Sequence, residues 1–196
     1  MSGMVMRAAG LIVTAGLALT GCTGSPPDPD VSSAPSGVST PAASASPSPS
    51  LPAKPERPEA MKRKDAEGAA AAAKYFIELY PYVMATGDTE EFEAMSHRAC
   101  GFCAELAGQA RAIQDEGETF RGGVTTVQII TEYKRDEVTG IYPFDSRIVQ
   151  EAQLITAADG GVVLDADREV LERRIEVGRS DGDWVMVAVA PIPGLD

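Results

Sequence analysis

Two hydrophobic periods divide this chain, and each predicts a different kind of element. From Lys64 to Met84, Ala72, Phe76, Leu79, Tyr80 and Val83 recur at three- and four-residue spacing around the alanine run Ala69 to Ala73, which predicts one long helix with a single apolar face. Pro81 falls inside it and should kink it, because proline offers no N–H to the Ile77 carbonyl and crowds the preceding turn. Thr86-Gly87-Asp88 ends the pattern. Asp88 can then cap a second helix, with Glu91 as its capping-box partner and Phe92 and Met95 turned inward. Phe102, Leu106, Ala110 and Ile113 give a third helix its stripe, and Gly117 is its stop.

After Gly122-Gly123 the period becomes that of strands. Val124 to Lys134 is rich in β-branched residues and places Val127, Ile129, Thr131 and Tyr133 on one face. Further strands are expected at Arg147 to Thr156, Glu169 to Val177 and Trp184 to Ala190. Asp159-Gly160-Gly161 and Asp181-Gly182-Asp183 supply turn chemistry, and the second should join the last two strands as an antiparallel hairpin. Ile141 to Ser146 and Val162 to Asp167 read equally well as loop or strand, because Pro143 and the nearby glycines permit both. The expected class is α+β, with three N-terminal helices packed on a curved, mainly antiparallel sheet of about four strands.

The first 58 residues follow neither period. Arg7 precedes an apolar run, Ala8 to Thr20, which at thirteen residues is too short for a membrane-spanning helix; such a helix needs roughly 20. The run fits the core of a secretory signal peptide. It ends in Leu19-Thr20-Gly21-Cys22, which resembles a bacterial lipobox, so residues 1–21 read as the signal and Cys22 as a lipidated mature N-terminus. Residues 22–58 then read as a tether of Pro, Ser, Ala and Gly. Such a stretch has too few large apolar side chains to offset an ordering entropy of roughly 1 to 2 kcal/mol per residue. Residues 59–196 remain as one domain, long enough for a real core.

Charge narrows the range of partners. The formal net charge is −12, nearly all of it on the domain. Nucleic acid is excluded as an expected partner, since phosphate backbones are bound by clusters of Lys and Arg. The one basic run, Lys62-Arg63-Lys64, lies beside Glu59 and Asp65 and reads as a solvated helix start rather than a contact with anionic lipid.

Candidate chemistry centres on Cys100-Gly101-Phe102-Cys103. Outside the cytoplasm the two thiols should form a disulfide that pins the junction of the second and third helices. The alternative is redox catalysis, but a thioredoxin-type motif follows a strand in a βαβ setting, whereas Asp88 to Ala99 reads helical. His97, three residues before Cys100, allows a Cys-His pair or a metal site with Cys103 to be drawn. Either would need reduced thiols in an oxidising compartment, and no metal site is expected. Asp165, Asp167, Glu169 and Glu176 echo a calcium loop, but Val170 occupies the place of the required glycine, so they read as solvent-facing acids. Of the aromatics that could line a pocket, Tyr75, Tyr80, Tyr82, Tyr142 and Phe144 among them, Tyr133 and Trp184 are the first choices. No catalytic residue and no cofactor are assigned.

The run Ala72 to Val83, then Thr86-Gly87-Asp88, a short helix and a terminal Gly182-Asp183-Trp184-Val185 strand resembles the cone-shaped nuclear transport factor 2-like superfamily. The lipobox, the tether and Ser96-His97-Arg98-Ala99-Cys100-Gly101-Phe102-Cys103 resemble a family of uncharacterised actinobacterial lipoproteins of unknown function. The superfamily resemblance implies a conical pocket used for catalysis, ligand binding or subunit assembly, and does not choose among them. The expectation is a protein lipid-anchored on the extracytoplasmic face of the cell membrane through Cys22. Its domain would bind a small ligand or an envelope protein without catalysis, with a homodimer as a further option and a thiol-disulfide oxidoreductase at Cys100 and Cys103 as the alternative.

Overall fold

The structure is a computed structural model and describes residues 51–195. Cys22, the apolar run before it and the tether as far as residue 50 lie outside the described residues. A 3-10 turn at Glu59–Lys62 leads into α1 (Ala66–Glu78), α2 (Tyr80–Thr86), α3 (Glu90–Ala94) and α4 (Gly101–Asp115). Then come β1 (Thr119–Gly122), β2 (Thr125–Glu132), β3 (Tyr142–Gln150), β4 (Gln153–Thr156), β5 (Val162–Ala166), β6 (Glu169–Ser180) and β7 (Asp183–Pro191). The class is α+β, as the pattern predicts. The helices occupy the middle of the chain rather than its N-terminus, and the strands form two antiparallel sheets, ordered β2-β3-β6-β7 and β1-β4-β5, instead of one sheet of about four.

The second sheet comes from a bend. β1 and β2 pair with β4 and β3 as one continuous ribbon, and the ladder crosses the corner through Gly123 N–H to Ala152 O (3.0 Å) and Glu151 N–H to Val124 O (2.9 Å). The corner is possible because Gly122 (φ 81°) and Gly123 (φ 66°) both adopt left-handed backbone. A Cβ at Gly122 would meet the Ala152 carbonyl oxygen at 2.2 Å, and one at Gly123 would meet the Phe120 ring at 2.6 Å. The strand expected from Arg147 to Thr156 is therefore two strands in different sheets, and the stretches at Ile141 and Val162 that permitted loop or strand resolve as the starts of β3 and β5.

The long first helix is likewise broken in two. Leu79 ends α1 and begins α2, with Pro81 in the first turn of α2, where a missing N–H costs least. Gly87 closes α2 in left-handed backbone (φ 70°), its N–H bonded to Val83 O. The capping box does not form. Asp88 Oδ1 accepts from the Glu90 N–H at 3.3 Å, while Glu91 turns away from its own helix.

Glu91 instead holds the end of the predicted tether. It pairs with Lys54 (2.8 Å) and Arg57 (2.5 Å) and accepts from the Tyr75 hydroxyl (2.7 Å), while Lys54 and Arg57 lie over the rings of Tyr82 and Tyr75. Lys54 and Arg57 are thus laid across α1, α2 and α3 as a strap.

The core lies between the helices and the four-stranded sheet. Ala69, Ala72 and Ala73 are fully buried, so α1 approaches the sheet closely, and Phe76 stacks on Phe92 with centroids 4.2 Å apart. Phe144 and Ile148 of β3, Ile175 and Val177 of β6 and Met186 of β7 complete it. The β6–β7 hairpin forms as expected, its two-residue turn Asp181-Gly182 having positive φ at both positions.

Candidate ligand-binding cavity

Helices and sheet do not close completely, and a cavity of about 240 Å³ remains between them. Its floor is apolar: Phe76 and Ile77 from α1, Phe92 from α3, and Ile148, Leu171 and Val189 from β3, β6 and β7. Phe102 and Leu106 of α4, both half-buried, form a lip, because the helical stripe that carries the buried Cys103, Ala107 and Ala110 leaves these two at the edge of the packed face. The rim is polar, made of Gln150, Gln153 and Glu169 where β3, β4 and β6 meet the ribbon bend, and of Arg173 farther along β6. Tyr80 spans floor and rim, its hydroxyl donating to Gln153 Oε1 at 2.6 Å. Burial pushes the Tyr80 phenol above its ordinary range, so it remains a neutral donor. An apolar floor under a few fixed polar groups suits a small amphipathic molecule.

Tyr133 and Trp184 do not line this cavity. β2 carries a bulge between Ile129 and Thr131, so Ile129 pairs with Ser146 on the helix-facing side while Thr131 pairs with Asp145 on the outer side. One extra residue flips everything beyond it, and Tyr133 emerges on the outer face. Its hydroxyl donates to Asp145 Oδ2 (2.6 Å), and the Arg174 guanidinium, paired with Asp145 at 2.6 Å, lies 4.5 Å from its ring centre. Arg174 and the Tyr133 hydroxyl hold the buried Asp145 carboxyl below the usual carboxylate range against the opposing effect of burial. Trp184 is buried at the far end of the sheet, its Nε1–H donating to Met61 O (2.9 Å) and its ring edge-on to Tyr142.

Cys100 and Cys103 form a disulfide at the start of α4. Both residues are buried, at 2% and 1% exposure, and Cys100 Sγ also accepts the Cys103 N–H as the helix cap. Helix α3 precedes the pair, so the setting differs from the strand-to-helix turn of thioredoxin-type sites. His97 uses Nδ1 to accept the Ala99 N–H at 3.2 Å, a local turn contact that makes no pair with either sulfur. Asp165 lies on β5, Glu169 and Glu176 on β6, and no group of acids, histidines or cysteines among the described residues is placed to hold a metal ion.

Of the cavity residues, Tyr80 is the one that reading aromatics as pocket candidates reaches. Phe102 and Leu106 show in sequence as ordinary core stripe. Gln150, Gln153, Glu169 and Arg173 carry no local signal, because they meet only through the ribbon bend and the β3–β6 pairing.

Comparison with known proteins places this α+β domain in a family. The chain belongs to a family of unknown function, DUF6318, whose model matches residues 38–190. No curated protein matches it. Among solved structures, it is similar to the intermembrane space region of the chloroplast protein ARC6, at 12% identity and TM-score 0.47, over 70% of this chain and 100% of that one. It is also similar to Aln2 from a Streptomyces species, at 15% identity and TM-score 0.35, over 59% of this chain and 82% of that one. These likenesses are too distant to carry a function to this chain.

Proposed function

We propose that this chain is a lipid-anchored protein of the cell envelope, held at the extracytoplasmic membrane face through Cys22, whose domain binds a small amphipathic ligand without catalysis. The cavity beneath α4 carries the reading. Helices laid over a bent antiparallel sheet support a cone of the nuclear transport factor 2-like kind, and the lipobox and tether sequence supports the anchor.

The physical case is one of size and polarity. An engineered apolar cavity of about 150 Å³ is large enough to bind benzene. A cavity of about 240 Å³ therefore takes a somewhat larger body, such as a short acyl chain. Contact with Phe76, Phe92, Leu171 and Val189 would remove that chain from water at roughly 25 cal/mol per Å². A polar head would meet Gln150, Gln153 and Arg173 at the rim.

Octanoate titrated against methyl-labelled protein tests this. The Leu106, Leu171 and Val189 methyl resonances should shift saturably, and Val189→Phe, which fills the floor, should abolish the shifts while the protein stays folded. Methyl resonances that do not move, or that move equally in Val189→Phe, would remove the cavity as a binding site.

A further inference from the structure

Toward the other end of the sheet from this cavity, with Tyr142 six residues from Ile148 along β3 and thus about 20 Å away at 3.3 Å per residue, lies a hollow of different chemistry. It measures about 380 Å³ and is lined by Lys64, Arg135, Thr139, Gly140, Tyr142 and Arg179, three cations with no carboxylate among them. A second hollow, of about 570 Å³, adjoins it through Lys64 and Arg179 and reaches Trp184.

The pattern of pairing sets these cations apart. Their neighbours each hold an acid: Lys62 pairs with Glu59, Arg63 with Asp65 and Glu67, Lys134 with Glu137. Lys64, Arg135 and Arg179 make no salt bridge among the described residues. The two guanidiniums are held by uncharged groups instead. Arg179 lies 4.7 Å from the Trp184 ring centre and donates to Gly182 O, while Arg135 lies 5.7 Å from the Tyr142 ring centre. Arg135 also crosses Gly140 so closely that a Cβ there would sit 2.6 Å from its Nη2. Asp136, the acid next in sequence, is held low chiefly by the Thr139 N–H and hydroxyl and the Val138 N–H, and the charge of Arg135 acts on it least of these, without an ion-pair contact. Acids do border the adjoining hollow, in Glu59 and Asp183, but Glu59 is spent on Lys62.

In a chain of net charge −12, three cations converging without carboxylates are an electrostatic exception. Rings and backbone orient the guanidiniums without forming an ion pair, which leaves the N–H groups that Gly182 O does not take open to an oxyanion. We infer that Lys64, Arg135 and Arg179 form a binding site for a phosphate group, presented either by a soluble phosphate or by the headgroup of an anionic phospholipid. The inference does not rest on the apolar cavity or on the anchor.

Trp184, the only tryptophan in the chain, reports directly on Arg179. The full chain in dodecyl maltoside micelles is titrated with inorganic phosphate, and separately with micelles doped with phosphatidylglycerol or phosphatidylcholine, while Trp184 fluorescence is followed. A saturable change with phosphate alone assigns a soluble ligand, and one that also appears with phosphatidylglycerol assigns the headgroup. In either case Arg135→Gln/Arg179→Gln should bind about tenfold or more weakly, read by calorimetry because the probe's neighbour is removed. Arg98→Gln/Arg121→Gln, which removes the same charge elsewhere, should bind like the parent. Arg135→Gln alone, which leaves Arg179 on the Trp184 ring, should also weaken binding and decides the matter if the double variant does not fold. No response to phosphate or to phosphatidylglycerol, an equal response to phosphatidylcholine, or equal losses in the two double variants would overturn the assignment.

Discussion

Replacing Gly122 with alanine tests whether the ribbon bend is built on backbone that only glycine tolerates. Two costs combine at this position. At φ 81° an L-residue pays roughly 1–2 kcal/mol for left-handed backbone. The new Cβ would also stand 2.2 Å from the Ala152 carbonyl oxygen, a backbone atom in the link between β3 and β4 that cannot rotate away as a side chain would. Forcing the strands apart is an overpacking cost of about 1–3 kcal/mol. Gly160 provides a matched control. Its φ is 87°, and a Cβ there meets nothing within 4 Å, so Gly160→Ala pays only the first cost. Gly122→Ala should therefore be less stable than Gly160→Ala by about 1–3 kcal/mol. At about 2 kcal/mol per molar urea this is a midpoint lower by roughly 0.5–1.5 M. Urea unfolding followed by circular dichroism and Trp184 fluorescence reads the difference. A Gly122→Ala midpoint equal to or above that of Gly160→Ala would refute the argument that the close approach of Ala152 enforces the corner.

Three other outcomes follow from single contacts. Ser146 is fully buried and its Oγ has no hydrogen-bond partner among the described residues, so Ser146→Ala should stabilise the domain by about 1 kcal/mol and raise Tm by roughly 2–4 °C in a thermal melt. Burial alone would raise the Glu91 carboxyl, but hydrogen bonds from Lys54, Arg57 and Tyr75 outweigh it and bring it down to about 2. Its stabilising share is thus complete above the unfolded value near 4.5 and lost as pH falls from there toward 2; it is at most about 3 kcal/mol, and less because solvent screens the half-exposed Arg57. Backbone amide order parameters of Lys54, Glu56 and Arg57 should fall over that same pH window, and in Glu91→Gln they should be low throughout. The buried Cys100–Cys103 bond should resist dithiothreitol until the domain unfolds, and its loss should lower the unfolding free energy by about 2 kcal/mol in a denaturant titration; thiol labelling in dithiothreitol at native pH would contradict this if both cysteines reacted while near-ultraviolet dichroism stayed intact.

What was legible in the chain was what neighbours in sequence decide. Gly87 stops α2, Phe92 and Met95 turn inward, Asp181-Gly182 makes the last hairpin, and Cys100 and Cys103 pair across one helical turn. What was hidden depends on partners far along the chain. Gly122-Gly123 reads as a pause between helix and strand, and only the opposing Ala152 makes it a corner between two sheets. The alternation through Val127 and Ile129 gives no sign of the bulge that sends Tyr133 to the outer face. Glu91 fits a local capping box equally well, and its true partners, Lys54 and Arg57, come from the stretch whose composition predicts a tether.

The shared ribbon also shapes the order in which the sheets can assemble. Once the hairpin between β2 and β3 closes over the short loop at residues 133–141, zippering can run through the corner into β1 and β4 without paying a second loop-closure entropy. β5 joins across the short turn at Asp159-Gly160, and β6 and β7 arrive as a hairpin that docks on β3. Nearly every strand pairing is thus local when it forms, which favours faster folding than two separately closed sheets would allow. The rate should be set at the 133–141 loop, where the ribbon begins and where Arg135 and Gly140 also stand.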